Sequence, residues 1–312
     1  LTTPEAYITF KKDGEKSEVS LADRFDHAGA VVALLDELSK HGLRERIAAI
    51  GHRVAHGGEQ YSESVLVDDT VLAGLKACIP LAPLHNPANI SGIVAAQENF
   101  PGLPNVAVLD TSFHQTIPER AYTYAVPHEL RKKHAFRRYG FHGTSIRYVA
   151  PAAARCLAGK PSSRLIVAHL GNGASITAVK DGQSMDTSMG FTPLEGLVMG
   201  TRSGDVDAGI YDYLTSQVGM SVKEVSDMLN KKSGLLGISE LSNDCRTLEQ
   251  AAEEGHEGAR LALEVMTYRL AKYIASMAVA TGGIDALVFT GGIGENSRSI
   301  RAQTVAHLGF LG

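Results

Sequence analysis

The sequence is poor in cysteine, has no long apolar run and carries little excess charge. Its three cysteines, Cys78, Cys156 and Cys245, lie far apart without a C-x-x-C pair. This spacing disfavours a disulfide framework or a zinc site and fits buried thiols in a reducing compartment. No run approaches the length of a membrane span and no secretory signal is visible, so we expect a cytoplasmic protein. The net charge of −4 gives no electrostatic reason to expect binding to nucleic acid.

Several catalytic signatures are also missing. There is no G-x-S-x-G elbow and no serine or cysteine paired with a base, so hydrolase chemistry has no support. There is no G-x-x-x-x-G-K-S/T loop, and Gly291–Asn296 does not follow G-x-G-x-x-G, so Walker-type and Rossmann sites are not predicted. His52 and His56 are four residues apart on a predicted strand and not on a helix, which disfavours a histidine metal site.

Strand and helix patterns alternate along the chain, and 312 residues are enough for about two domains. Apolar runs bounded by turn residues predict strands at 47–54, 105–109, 165–170, 174–179 and 286–290. Helical spacing predicts helices at 26–38, 88–99, 144–158 and, as one long element interrupted only by Gly255 and Gly258, 249–280. The segments 113–143 and 186–202 show no regular pattern. The alternation predicts an α/β fold.

Polar or glycine residues stand at the ends of four predicted strands. They are Arg53, Asp110, His169–Gly173 and Gly291–Asn296. In open α/β sheets, ligands bind at the carboxyl ends of strands, so these ends together predict one cleft. The Gly171-Asn172-Gly173 turn either simply closes a hairpin or lets an anion approach its backbone N–H groups.

Three side chains could contact such an anion. Arg53 lies in a strand that we expect to be half-buried, where an unpaired charge would be costly. Arg202 is surrounded by small residues that leave room for a ligand, although a plain surface arginine explains that pattern equally well. His142 stands at a predicted helix start, whereas His85 and His114 stay open between structural and functional roles.

Seven segments, in order and across essentially the whole chain, resemble the acetate kinase family, which includes the propionate kinases. They are Gly51–Gly58, Pro83–Pro87, Asp110–Thr116, Arg138–Ser145, His169–Gly173, Asp186–Asp205 and Thr290–Asn296. The resemblance implies the two-domain fold of the acetate and sugar kinase, chaperone and actin superfamily, with duplicated α/β cores and a ligand cleft between the domains. It makes 1–112 an incomplete first domain on the acyl-substrate side and 113–312 a second domain on the ATP side.

The resemblance also implies a reaction and the residues that perform it. The reaction is the reversible, Mg²⁺- and ATP-dependent phosphorylation of a short carboxylic acid to an acyl phosphate, usually by a homodimer. The implied catalytic residues are Asp110, His142 and Arg202. The implied substrate-binding residues are Arg53, Ala55, Leu84, His85, Phe141 and Pro193. The implied ATP-binding residues are His169, Leu170, Gly171, Asn172, Gly173, Asp244, Cys245, Arg246, Gly292, Ile293, Gly294, Glu295 and Asn296.

Physical chemistry narrows the role of Asp110. A carboxylic acid with a pKa near ~4 is already ionised at neutral pH and needs no general base. The barrier lies in charge repulsion and positioning, which two arginines, a histidine and a magnesium ion address. We therefore expect Asp110 to orient Arg53 or the hydrated metal.

The sequence departs from the family pattern at its ends and at Ala55. Family members begin with an Asn-x-Gly-Ser-Ser-Ser-x-Lys loop and carry a metal-binding glutamate near the C-terminus. Both lie outside this chain, so no metal ligand is assigned. We expect the natural protein to be longer at both ends and this polypeptide alone to be inactive.

Ala55 bears on the choice of substrate. Acetate kinases usually carry valine at this position, whereas propionate kinases tend to carry alanine. We therefore expect propionate to be used at least comparably to acetate. A dedicated propionate kinase is the alternative within this class, and an actin-like or chaperone ATPase is the alternative of another class.

Overall fold

The computed structural model describes residues 6–12, 14–21, 27–83, 85–157 and 163–311; for residues 27 and 28 it describes the backbone alone. The chain divides into two compact units, Leu1–Asp110 and Thr111–Gly312. The division at residue 112 and the roles assigned to the two parts stay predictions.

The first unit is built on a three-stranded sheet. Its elements are β1 (Tyr7–Lys12), β2 (Glu15–Ser20), α1 (His27–Lys40), β3 (Ile50–Val54), β4 (Val65–Leu66), α2 (Asp69–Ala77), α3 (Asn86–Asn99) and β5 (Asn105–Leu109). The strands β1 and β2 form a separate antiparallel hairpin. The sheet order is β3-β5-β4, with β3 parallel and β4 antiparallel to β5. Buried side chains of β3, β5, α2 and α3, such as Val54, Leu109, Leu75 and Ile93, form the core.

The second unit is built on a four-stranded sheet. Its strands are β6 (Arg164–Leu170), β7 (Ala174–Lys180), β8 (Gln183–Thr187) and β9 (Ala286–Thr290), in the order β8-β7-β6-β9. Its helices are α4 (Glu119–Tyr122), α5 (His128–His134), α6 (Gly143–Cys156), α7 (Gly209–Ser216), α8 (Val222–Lys231), α9 (Gly234–Ser239), α10 (Cys245–Glu253), α11 (Glu257–Thr281), α12 (Gly291–Asn296) and α13 (Arg298–Ala306).

Strand β6 is buried on both faces, which explains its continuous apolar sequence. Leu165 and Val167 pack with α6, whereas Ile166 and Ala168 pack in the cluster that includes α11. The strand pairs with β7 antiparallel and with β9 parallel, and His169 is in register with Thr290. The carboxyl ends of β6 and β9 therefore lie side by side.

Some predicted elements were wrong in extent. The predicted long helix 249–280 is two helices, α10 and α11, because Gly255 at φ +93° interrupts the chain and His256 caps α11. The segment 113–143 contains short helices, and 186–202 begins inside β8. Strand β3 begins at Ile50, not at residue 47, and α6 is preceded by His142 in the left-handed region at φ +59°. The predicted cap Asp26 lies outside the described residues.

Candidate active site

Arg53 and Asp110 form an ion pair at the carboxyl ends of two parallel strands. Arg53 is the fourth residue of β3, and Asp110 directly follows β5. The Arg53 Nη2 atom lies 2.6 Å from Asp110 Oδ2, and the Nε atom lies 3.0 Å from Oδ1. The hydrogen bond to Asp110 raises the pKa of Arg53 further. The two residues are 57 positions apart in sequence, so the parallel pairing of β3 and β5 brings them together.

Strand β3 is half-buried, as expected, but Arg53 lies on its exposed face and is paired with Asp110. The side chain of Arg53 is 71% exposed, whereas that of Asp110 is only 3% exposed. Asp110 therefore binds the edge of the guanidinium formed by Nε and Nη2, and the remainder of the group faces solvent. This arrangement presents a fixed cation to an anionic ligand.

Two asparagines that sequence reasoning missed hold the chain just after β3. The N–H of Ala55 donates to Asn89 Oδ1 at 3.0 Å, and the N–H of His56 donates to Asn86 Oδ1 at 3.1 Å. Both asparagines lie in the first turns of α3, where the Asn-Pro-Ala-Asn sequence could have signalled this role. Ala55 is half-buried beyond the strand end, and His85 is exposed next to α3. Leu84 lies outside the described residues.

His56 is a structural histidine. It is fully buried, and its Nδ1 atom accepts a hydrogen bond from the Gly58 N–H at 3.0 Å. Burial lowers the pKa of His56 to about 4, so the ring is neutral at neutral pH.

In the second unit, His142 and His169 form a stacked pair. Their ring centroids are 4.2 Å apart and their planes differ by 29°. Each Nδ1 atom lies 2.8 Å from a serine hydroxyl, that of Ser175 for His142 and that of Ser145 for His169. The serines fix the orientation of both rings. Alternation along the strand had left the direction of His169 open.

Arg202 lies beside this pair. Its Nη1 atom donates to the carbonyl of Pro193 at 2.6 Å, and within the described part of the chain no carboxylate lies within 4.0 Å of it. A Cβ atom on Gly173 would lie 2.9 Å from Arg202 Nη2 and 3.6 Å from His142 Nε2. Burial lowers the pKa of Arg202. A half-buried cation without a carboxylate partner is suited to binding an anion.

The other implied substrate residues of this unit have different surroundings. Phe141 is buried in the hydrophobic core, and its carbonyl accepts a hydrogen bond from His114 Nε2 at 2.9 Å. His114 is itself fully buried and also contacts the Ser184 hydroxyl at 2.9 Å, so its role is structural. Pro193 is half-buried and contributes the carbonyl that holds Arg202.

A cavity of about 670 Å³ lies at the adjacent ends of β6 and β9. Predicted ATP-binding residues that line it are Gly171, Asn172, Asp244, Cys245, Arg246, Gly292, Ile293 and Asn296. Asn243, Glu249 and Ser297 also line it, and no sequence pattern had pointed to them. These segments are distant in sequence, so the cavity exists only in the folded chain.

Five predicted ATP-binding residues do not line this cavity: His169, Leu170, Gly173, Gly294 and Glu295. The side chain of Leu170 is in the core, and Gly294 is buried against β6 and β9. His169 and Gly173 lie with His142 and Arg202 instead. Glu295 is exposed, and its carboxylate accepts from the Thr290 hydroxyl at 3.4 Å.

Close backbone approach shapes the rim of the cavity. The N–H of Gly200 donates to the carbonyl of Asn172 at 2.9 Å, and a Cβ atom on Gly200 would lie 2.0 Å from Asn172 Oδ1. That oxygen accepts a hydrogen bond from Asn243 Nδ2 at 2.9 Å. Asp244 caps α10, and its hydrogen bonds from Arg246 lower its pKa to about 2.

Three further findings concern the described residues. No group of three or more His, Cys, Asp or Glu side chains is arranged to hold a metal ion there. None of the helices in those ranges is both long and apolar enough to cross a membrane. Cys78 and Cys245 are buried thiols, as expected, whereas Cys156 is exposed.

Comparisons with known proteins show which family the chain is similar to. The chain matches the acetokinase family over residues 1–312. It is 78% identical over 314 residues to acetate kinase 2 of Neisseria meningitidis, covering 100% of this chain and 78% of that protein. A propionate kinase structure from Francisella tularensis superposes with a TM-score of 0.96 at 50% identity, covering 100% of this chain and 80% of that one.

An acetate kinase structure from Porphyromonas gingivalis superposes with a TM-score of 0.92 at 45% identity, covering 100% of this chain and 80% of that one. These structures confirm the α/β fold class predicted from the motifs. Because a family match over the whole chain agrees with relatives of high identity, the chain belongs to the acetokinase family.

Proposed function

We propose that this enzyme catalyses the reversible ATP-dependent phosphorylation of acetate to acetyl phosphate. The observation that carries the proposal is Arg202, a half-buried cation without a carboxylate partner among the described residues, beside two serine-anchored histidines. Gly173 of the glycine turn lies beside this cluster, and Gly171 and Asn172 of the same turn line a cavity of about 670 Å³. Because the chain belongs to the acetokinase family, the anion proposed to bind there is the transferring phosphoryl group.

The proposed chemistry is a direct in-line transfer. A carboxylate oxygen of acetate forms a bond to the γ-phosphorus as the bond from that phosphorus to the bridging oxygen of ADP breaks. No proton is transferred, because acetate with a pKa near ~4 is already ionised at neutral pH. The enzyme must instead offset repulsion between anions, which fixed cations and donors do without reorganisation.

Each charged residue then has a distinct role. Arg53 binds the carboxylate of the substrate, and Asp110 positions Arg53 through hydrogen bonds of 2.6 to 3.2 Å. Arg202 and His142 stabilise the transferring phosphoryl group. Ala55, Leu84, His85, Phe141 and Pro193 are proposed to surround the acyl group.

The nucleotide is proposed to occupy the cavity at the ends of β6 and β9, which eight of the thirteen predicted ATP-binding residues line. Contacts of the other five with ATP stay predictions. Mg²⁺ accompanies the phosphates in this proposal, because it binds chiefly through substrate phosphates and water with one or two carboxylates. Among the described residues, no group of three or more His, Cys, Asp or Glu side chains is arranged to hold a metal ion, and Asp110 is engaged by Arg53.

Propionate is the second candidate substrate. Ala55 has a smaller side chain than valine, and one additional buried CH₂ group contributes about 0.8 kcal/mol, or a few-fold in affinity. The similarity to a propionate kinase at 50% identity also favours it. The actin-like ATPase alternative has no comparable support, because the whole chain matches the acetokinase family.

We also infer from the family resemblance that the protein is a cytoplasmic homodimer with an acyl-substrate part at 1–112 and an ATP part at 113–312. Light scattering and limited proteolysis of the full-length protein test the dimer and this division.

Trapping of the acyl phosphate with hydroxylamine tests the function. Full-length protein is incubated with Mg²⁺, ATP and acetate, propionate or butyrate in parallel. Acyl hydroxamate confirms a carboxylate kinase, and its yield by chain length ranks the substrates. ATP hydrolysis without hydroxamate would instead support an ATPase.

A further inference from the structure

One wall of the nucleotide cavity carries a carboxylate that no sequence pattern singled out. Glu249 lines the cavity from the second turn of α10, four residues after Cys245, so both side chains share a face of that helix. Its side chain is half-buried. Among the described residues, Asp244 and Glu249 are the two carboxylates that line the cavity.

The position of Glu249 is fixed by a residue 48 positions away. The Ser297 hydroxyl donates to Glu249 Oε1 at 2.5 Å and accepts a hydrogen bond from the Ile300 N–H at 3.0 Å. A hydroxyl has one proton to donate, and here Glu249 receives it. Ser297 caps α13, whose amino end also favours a negative charge nearby. The Glu249 carboxylate is therefore held in a defined place.

The two carboxylates of the cavity differ in their partners. Asp244 is paired with Arg246 at 2.7 Å. Within the described ranges, no Lys, Arg or His nitrogen lies within 4.0 Å of the Glu249 carboxylate, and its Oε2 atom has no hydrogen-bond partner. The charge of Glu249 is thus not compensated, and one oxygen is available to a ligand.

An ionised carboxylate only accepts hydrogen bonds, and it repels the phosphates of a nucleotide. The part of ATP beside Glu249 must therefore be the nucleoside, with the phosphates elsewhere in the site. We propose that Glu249 accepts a hydrogen bond from a donor of the nucleoside, either a base amino group or a ribose hydroxyl. In this way Glu249 would select among nucleotides. This proposal rests on the proposed function, because it takes ATP as the substrate.

The two donors predict different preferences. If Glu249 accepts from the amino group of adenine, ITP binds poorly, because its carbonyl oxygen would face the carboxylate. If Glu249 accepts from a ribose hydroxyl, the deoxy analogue that lacks that hydroxyl binds poorly and ITP binds well.

The experiment measures KM and Kd for ATP, ITP, 2′-deoxy-ATP and 3′-deoxy-ATP with full-length wild-type protein, Glu249→Gln and Glu249→Ala. Both variants should raise KM and Kd for ATP about tenfold, as expected for the loss of a hydrogen bond to a charged group. They should leave kcat within about twofold, because the group does not contact the transferring phosphoryl. The analogue that lacks the recognised donor should bind wild type and variants alike.

Glu253→Gln is the matched control, because Glu253 is an exposed residue of the same helix that does not line the cavity. Glu253→Gln removes the same charge and should leave KM, Kd and kcat unchanged for all four nucleotides. Ser297→Ala should shift the constants in the direction of Glu249→Ala, but by less. Circular dichroism melting confirms that each variant is folded.

Equal losses for all four nucleotides, or no loss for ATP, would overturn the proposal. Failure of the proposed function is distinguishable, since wild type would then form no acyl hydroxamate at all. Failure of this inference alone would leave product formation intact.

Discussion

At the scale of single residues, the pair of Arg53 and Asp110 shows how a buried carboxylate can act through its partner. Asp110 is almost completely buried and holds one edge of an arginine whose side chain is 71% exposed. The geometry supports the hypothesis that Asp110 orients Arg53, and does not require Asp110 to accept a proton from a substrate that is already ionised.

Asp110→Asn tests this role. The amide keeps the shape but loses a charge-assisted bond that contributes about 1.5–3 kcal/mol, so kcat/KM for acetate should fall roughly 10- to 100-fold. Because Arg53 keeps its charge, the pH dependence of kcat should keep its wild-type shape. Initial rates across pH measure both effects, with Asp69→Asn on α2 as the control. Loss of an ionisation from the profile would show instead that Asp110 exchanges a proton.

Ala55 is the residue that we expect to set the size of the acyl pocket. Ala55→Val adds two carbons, which should raise KM for propionate by a few-fold more than KM for acetate. Steady-state kinetics with both acids on the full-length protein measure the ratio. The same change for both acids would contradict the pocket assignment.

At the scale of elements, glycine allows two loops to approach at the rim of the cavity. Gly200→Ala should displace Asn172, since the new Cβ atom would lie 2.0 Å from Asn172 Oδ1. The hydrogen bond between Asn172 and Asn243 would then be lost, and nucleotide affinity should fall roughly 3- to 10-fold, the value of one neutral hydrogen bond.

Calorimetric titration with ATP measures the effect of Gly200→Ala on nucleotide affinity. Gly92→Ala is the matched control, because beyond the neighbouring backbone of its own helix no described atom lies within 4 Å of the methyl group that alanine would add, and alanine favours the helix. Unchanged ATP affinity in Gly200→Ala would contradict the proposed importance of this contact.

The elements also show where local patterns mislead. Apolar periodicity continues from 249 to 280, yet Gly255 adopts φ +93° and separates α10 from α11. Periodicity reports which positions are apolar and not where the backbone turns. The break matters for the site, because it lets α10 carry Asp244, Cys245 and Glu249 to the cavity independently of α11.

At the scale of the whole molecule, buried His56 predicts how stability depends on pH. Its pKa is lowered to about 4, compared with about 6.5 in an unfolded chain. Between these values the unfolded state binds more protons, so the free energy of unfolding decreases as pH falls. The contribution of the lowered His56 pKa to the free energy of unfolding is complete above about pH 6.5. About 3 kcal/mol of that free energy is lost by pH 4.

Urea denaturation at pH 4.5 to 7.5 measures this dependence. His56→Asn, whose amide oxygen can still accept from the Gly58 N–H, should show a smaller decrease over the same range. Parallel curves for wild type and variant would assign the acid sensitivity to other groups.

The sequence alone determined the fold class, the carboxyl ends of most strands and the family, because turn residues, apolar runs and ordered motifs are local properties. It also placed Arg53, Asp110 and Arg202 among the candidates, since charges at predicted strand ends or among small residues are visible without a structure. Tertiary structure decided which of them meet. Asp110 reaches Arg53 across 57 residues, and Ser297 reaches Glu249 across 48. Such contacts depend on the packing of whole strands and helices, which no local pattern records.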